Sequence, residues 1–468
     1  MNSEELKNRE IFEEIPVRKA LVSMAVPMIV SQLIVLVYNM ADTFFIGRAN
    51  NPYMVAGASL ILPIYNVCIA FANIAGTGGG TLIARLLGAG RIEEAKKVSS
   101  FSFYFTIAAS LVFSLGTALF MDPLLKLLGA SNETYRYAEQ YVTCVIVFGA
   151  LPTVLSMTLG TLVRNTGKAK EAGFGVSMGG ILNIALDPIF MFVILPRGNE
   201  TLGAGIATAL SNLVSCIYFI VLILQMDSSI LSFSPRNGFP LKEEIRSFFA
   251  VGVPAALGPF FFDLDYIVID RLAASYSDVA LAAIGIVLKA ERIPLNTGVG
   301  LCLGMVPLAA YNYSSGNHKR MHNVFLTARR AGLIIALCCV AFYEFFAPWI
   351  MRFFIADAET VALGTSFLKI RALATPLMFL CFVHVHFFQA VGRGNTSFLL
   401  IAVRWLAVNI PMLFILNHLF GMYGIIWSQL VSDSLVALFS FAVHRKFYTA
   451  GASGNNKANL SSASDKTA

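Results

Sequence analysis

Charge is scarce in this sequence. Only 13% of its 468 residues are Asp, Glu, Lys or Arg, against about 25% in soluble domains. That excludes a water-soluble chain of several domains. Tryptophan (3) and histidine (6) are rarer still, and no HExxH pattern or paired nucleophile and base occurs, so an enzyme is not expected. Cys68, Cys144, Cys216, Cys302, Cys338, Cys339 and Cys381 all fall in apolar stretches without CxxC or metal spacing. They read as small hydrophobes, and neither a metal nor a cofactor is expected. The opening MNSEELKNREIFEEIPVRKA mixes both charges and lacks a cleavage pattern, so the first apolar run is expected to stay as a span.

What the chain has in quantity is apolar surface. Hydrophobic residues make up 57% of it, and they gather into twelve runs long enough to cross a bilayer, which needs about 20 residues as helix. These lie at 21–47, 54–84, 97–121, 137–162, 173–195, 203–226, 247–271, 279–310, 324–351, 363–390, 397–417 and 423–443. The expected fold is an all-α polytopic membrane protein of twelve transmembrane helices. The net charge of +7 suggests nucleic acid only superficially, because the basic residues sit in short loops with no aromatic-laced stripe. Loops after even-numbered spans hold Arg85, Arg91, Lys96, Lys97, then Arg164, Lys168, Lys170, then Arg236, Lys242, Arg246, then Lys319 and Arg320. By the positive-inside rule both termini are cytoplasmic, in the cell membrane.

The sequence also repeats itself. DTFFIGRANNPYMVAGASL from Asp42 lies on DYIVIDRLAASYSDVALAAI from Asp265, and Gly90 then falls on Gly316, Pro152 on Pro376, Pro188 on Pro411 and Gly205 on Gly424. Six spans per half give both halves one orientation, so the pseudo-twofold should run along the membrane normal. The expected segments are a cytoplasmic start (1–20), an N-lobe (21–226), a linker (227–246), a C-lobe (247–443) and a polar, disordered cytoplasmic tail (444–468). A duplicated chain supplies both walls of a cleft, so a monomer suffices, and the prolines and glycines within spans permit the bending that alternating access uses.

Intramembrane acids carry the functional reading. A carboxylate in hydrocarbon costs roughly 3 kcal/mol on insertion scales and usually lines a cavity, pairs or moves ions. Asp42 shares a helical face with Tyr38, four residues earlier, and Asn183 with Asp187 on span five; Thr208 opens span six. If spans one, five and six pack together, hard oxygen ligands converge, suited to a monovalent cation or a shared proton. In the second half Asp265 takes the repeat position of Asp42, and Lys289 or Glu291 is its expected neighbour in a substrate chamber. Arg404, Lys369 and Arg371 are expected to pair or snorkel, and His384 and His386 to pack. A structural network tying helices together is the competing reading for every one of these polar groups.

Together, Pro27, Tyr38 and Asp42, then Asn183 and Asp187, the GAGIAT turn, the RLLGAGRIEEA and RNTGKAK loops and the VPLAAYNYSSG segment resemble the multidrug and toxic compound extrusion (MATE) family. The resemblance runs from about residue 15 to 446 and is nearest the MepA-like and DinF-like branches. It implies two six-helix lobes and export of cationic or amphipathic drugs, driven by protons or sodium ions. It also implies a cation site of Tyr38, Asp42, Asn183, Asp187 and Thr208, with a bend at Pro27. The NorM-like branch adds a carboxylate from span ten, but no Asp or Glu lies between Arg371 and Gly394 here. A lipid-linked oligosaccharide flippase of the same broad fold is the alternative, resting on Lys289, Arg292 and Arg404.

Overall fold

A backbone in hydrocarbon must satisfy its own hydrogen bonds, and each apolar run does so as a helix. In the computed structural model the described residues are 10–49, 51–226 and 230–464, with side chains described to residue 449. Ten helices are long and apolar enough to cross a membrane singly, and two bent pairs raise the number to twelve. The first six are α1 (Val17–Arg48), α2 (Pro52–Gly88), α3 (Ile92–Leu119), α4 (Asn132–Phe148 with Ala150–Asn165), α5 (Ala169–Ile194) and α6 (Glu200–Gln225). The second six are α7 (Lys242–Ala274), α8 (Asp278–Ser314), α9 (His318–Phe354), α10 (Ala358–Ala372 with Thr375–Ala390), α11 (Gly394–Phe420) and α12 (Met422–Thr449). The helical trace of α12 continues to Ser464. Of the expected terminal segments, residues 1–9 and 465–468 lie outside the described residues, as do 227–229 of the linker.

The pieces of α4 meet at 51° and those of α10 at 45°. In α4 the bend falls at Gly149, just after a wide turn, Thr143–Phe148, that leaves backbone groups out of the regular ladder. Similar wide turns occur at Ile74–Gly78, Phe190–Ile194 and Val403–Asn409. Pro27 interrupts nothing, since α1 is one unbroken helix across it.

Contacts gather the chain into two compact units. One comprises Met1–Asp263, Arg292–Gly332 and His386–Phe398; the other comprises Leu264–Glu291, Leu333–Val385 and Leu399–Ala468. Small residues let helices of the first unit approach closely, as membrane packing favours. The buried face of α3 is Ser99, Ser102, Thr106 and Ser110, the last three bonding back to carbonyls one turn earlier. Thr106 also reaches Thr158 of α4 at 3.3 Å. The described part of the linker is strapped to α3, with Tyr104 donating to the Phe233 carbonyl at 2.9 Å and Asn237 to Ser100 at 2.8 Å. The second unit is centred on Ile269, Ile284, Val287, Tyr343, Met351, Phe367, Leu413 and Ile425.

Candidate functional site

Helices α1, α5 and α6 pack together, α1 most extensively on α5. Two glycines of α5 permit it. A Cβ on Gly173 would stand 2.8 Å from the Pro27 carbonyl oxygen, and one on Gly180 would meet Ile34 at 3.0 Å and Tyr38 at 3.1 Å. Gly203, at the start of α6, lies as closely against Met191, beside the wide turn that follows Asp187. Thr208 is thereby brought to the acidic face of α5.

Asn183 is the hub of this face. Its amide nitrogen donates to Asp187 Oδ1 at 3.4 Å and to Thr208 Oγ1 at 3.2 Å. Asp187 is fully buried and Asn183 nearly so. Asp42, half-buried on α1, accepts a hydrogen bond from Tyr141 of α4 at 3.0 Å, and its charge acts on Asp187. Tyr38 lies one turn from Asp42 with Tyr65 of α2 as its neighbour. Tyr141 and Tyr65 were not expected. Phenols in apolar spans carry no mark in the sequence that separates a ligand-facing ring from a packing one.

Three oxygens of these side chains are buried without a hydrogen-bond donor: Asp42 Oδ1, Asn183 Oδ1 and Asp187 Oδ2. Leaving such groups unpaired costs roughly 1–3 kcal/mol each. The donor set is hard, anionic and oxygen-only, which fits a proton or a small monovalent cation. Among the described residues no group of three or more His, Cys, Asp or Glu is placed to hold a metal ion.

The second unit buries a different arrangement. Asp265, fully buried, accepts from Asn409 Nδ2 at 2.6 Å, while its Oδ2 has no donor. Glu291 receives Nε and Nη2 of Arg371 at 3.0 and 2.7 Å. Arg404 grips Asp433 through both carboxylate oxygens at 2.8 and 3.1 Å, and Gln429 adds a third donor at 2.8 Å. Three carboxyl groups thus face two guanidinium groups, and Asp265 is the one without an ion pair among the described residues. Glu291, Arg371 and Arg404 all act electrostatically on Asp265, whereas Lys289 is exposed. Asp263, in the first unit, accepts from Asn66 at 2.6 Å. His384 is buried with Nδ1 at 2.7 Å from the Leu380 carbonyl.

Solved structures share this architecture. The MatE family model matches residues 27–189 and 254–415. The multidrug export protein MepA of Staphylococcus aureus (strain MSSA476) is 32% identical over 432 residues, covering 92% of this chain and 94% of that protein. A crystal structure of MATE in complex with MaL6 superposes with a TM-score of 0.90 at 22% identity, over 95% of this chain and 99% of that one. An outward-facing multidrug resistance MATE transporter of the MOP superfamily gives 0.88 at 22% identity, over 95% and 98%.

Proposed function

This chain belongs to the MATE family of membrane transporters, and on that footing we propose that it exports cationic or amphipathic drug-like molecules in exchange for protons or sodium ions. One observation carries the reading: Asp42, Asn183 and Asp187 each keep a buried oxygen without a hydrogen-bond donor, with Asn183 bonded to Asp187 and Asp42 close enough for its charge to act on Asp187. A positive ion arriving among them satisfies these oxygens. Asp42, half-buried, is the entry group; Asp187, with Asn183 and Thr208 behind it, is the seat; Tyr38 lines the approach. Occupation of the seat alters how α1 packs on α5, with Pro27 as the bending point, and this favours the conformation that releases drug. A gradient drives the cycle because the ion binds the two conformations with different free energies, and drug affinity changes reciprocally.

Asp265, with Glu291 beside it and Lys289 on the same helix, is assigned to the substrate chamber, where its carboxyl group attracts a cationic drug. The flippase alternative requires free cations instead. Arg404 is committed to Asp433, and Arg292 stacks over Phe262 within the field of Asp263; of the three cations on which that alternative rests, only the exposed Lys289 has no such partner among the described residues. Both termini are placed in the cytoplasm and a monomer is taken as the working unit.

Ethidium efflux from cells tests the reading. The wild type should clear dye, whereas Asp42→Asn and Asp187→Asn should accumulate it to the level of empty-vector cells. Equal accumulation in wild-type and vector cells removes the drug pump. Dye transport in vesicles under an imposed pH gradient, compared with an imposed sodium gradient, identifies the coupling ion.

A further inference from the structure

A groove of about 500 Å³ opens on the outer surface of the first unit where α1 and α5 begin. Its lining divides by chemistry. Arg18, Lys19 and Lys170 form the rim, and Val22, Ser23, Val26 and Pro27 form the wall. The three cations are exposed, and none makes an ion pair among the described residues. The nearest acids in sequence, Glu14 and Glu171, are not paired with them either. All three occupy first turns of helices, where the positive end of the macrodipole adds to their own charge. Same-sign crowding of this kind, left uncompensated, is unfavourable.

Below the rim, α1 presents Val22, Val26 and Val30, which are 58%, 49% and 48% exposed. They follow one another at four-residue spacing, a stripe along the helix axis into the hydrocarbon. The cations stand where the apolar stretch of α1 starts, which the positive-inside rule puts at headgroup level on the face of the loop that carries Arg91, Lys96 and Lys97. Positive rim and apolar stripe together match one kind of occupant, an anionic headgroup with acyl chains attached. Basic pockets between transmembrane helices recognise lipid phosphates in this way.

We propose that this groove is a binding site for an anionic phospholipid. Its phosphate bridges Arg18 and Lys19 of α1 to Lys170 of α5, and its chains lie along Val22 and Val26. Pro27 closes the groove, and Gly173 holds α5 against the Pro27 carbonyl. A bound lipid therefore ties the first turns of α1 and α5 together on the N-terminal side of Pro27. Nothing in this assignment depends on which ion drives transport.

Thermal unfolding of the full chain in detergent tests it, with phosphatidylglycerol, phosphatidylcholine or inorganic phosphate added. Phosphatidylglycerol should raise the Tm by several degrees over phosphatidylcholine, and inorganic phosphate should not. Arg18→Gln, Lys19→Gln and Lys170→Gln combined should abolish the difference. Lys126→Gln, a control at an exposed lysine paired with Asp122, should keep it. Val26→Trp, which fills the groove without changing charge, should at least halve it. Should the triple variant not fold, Arg18→Gln and Lys170→Gln singly should each reduce the shift. The assignment is overturned if the charge variants retain the full shift, if Val26→Trp leaves it undiminished, or if inorganic phosphate reproduces it.

Discussion

Among the side chains around Asp42, one phenol has an outsized part. Tyr141 supplies the hydrogen bond to Asp42 Oδ2, while Oδ1 has none, and hydrogen bonds to charged groups are worth about 1.5–3 kcal/mol. Tyr141→Phe removes that donor and keeps the ring. Ethidium efflux should fall about tenfold, yet stay measurably above that of Asp42→Asn; undiminished efflux would show that the bond is idle. Buried pairs in the second unit behave differently. Arg404→Ala leaves Asp433 charged in a dry setting with only Gln429 as donor, a loss of about 3–5 kcal/mol, whereas Arg404→Met with Asp433→Leu removes both charges and should cost far less. Unfolding midpoints in detergent measure the difference, and equal losses would mean that the pair is not acting as a pair. Sequence made the acids legible, because a carboxylate in an apolar run is conspicuous and four-residue spacing puts Asn183 beside Asp187. It could not make Tyr141 or Asn409 legible, since their partners lie 99 and 144 positions away.

At the level of elements, the α1–α5 contact sets how closely Tyr38 and Asp42 approach Asp187. Its two glycines are not equivalent. A methyl at Gly180 meets side chains, Ile34 and Tyr38, which can turn aside; at Gly173 it meets the Pro27 carbonyl, which moves only if the helix moves. Gly173→Ala should therefore destabilise by about 1–3 kcal/mol, the usual range for overpacking, and depress efflux. Gly180→Ala should do clearly less, as melting midpoints and dye efflux measured side by side would show; the reverse order would place the tight contact elsewhere. The existence of the helices was readable from apolar length, but their ends were not. The run at 324–351 belongs to a helix spanning His318–Phe354, because hydropathy marks only the part that crosses lipid while backbone hydrogen bonding continues into water. The short helix Met121–Leu127 and the wide turns escaped for the same reason. They are set by hydrogen-bond geometry, which leaves no periodic trace.

For the molecule as a whole, the repeat identified two halves, but it did not reveal how the chain's beginning engages the second of them. One turn of helix, Glu10–Glu14, lies against the ends of α8 and α9. Phe12 is fully buried and stacks on Tyr311 with ring centroids 4.5 Å apart, and Tyr311 donates to Glu13 at 2.7 Å. So short a helix cannot satisfy its own carbonyls. Arg320 does so instead, giving Nε to the Phe12 oxygen at 2.6 Å and Nη2 to the Ile15 oxygen at 2.6 Å, while Asn312 adds a bond to Phe12 at 3.1 Å. The guanidinium fork spans these two carbonyls and that of Ile11, 3.3 Å from Nη2, which a single ammonium cannot reach together. Arg320→Ala should thus release residues 10–16. Losing even one charge-assisted bond, about 1.5 kcal/mol, raises the open population roughly tenfold, so amide exchange across the segment should accelerate by at least that factor. Arg320→Lys should fall between Ala and wild type. Exchange that stays at the wild-type rate in Arg320→Ala would mean that Phe12 packing alone holds the segment, and Phe12→Ala would then be the variant that frees it.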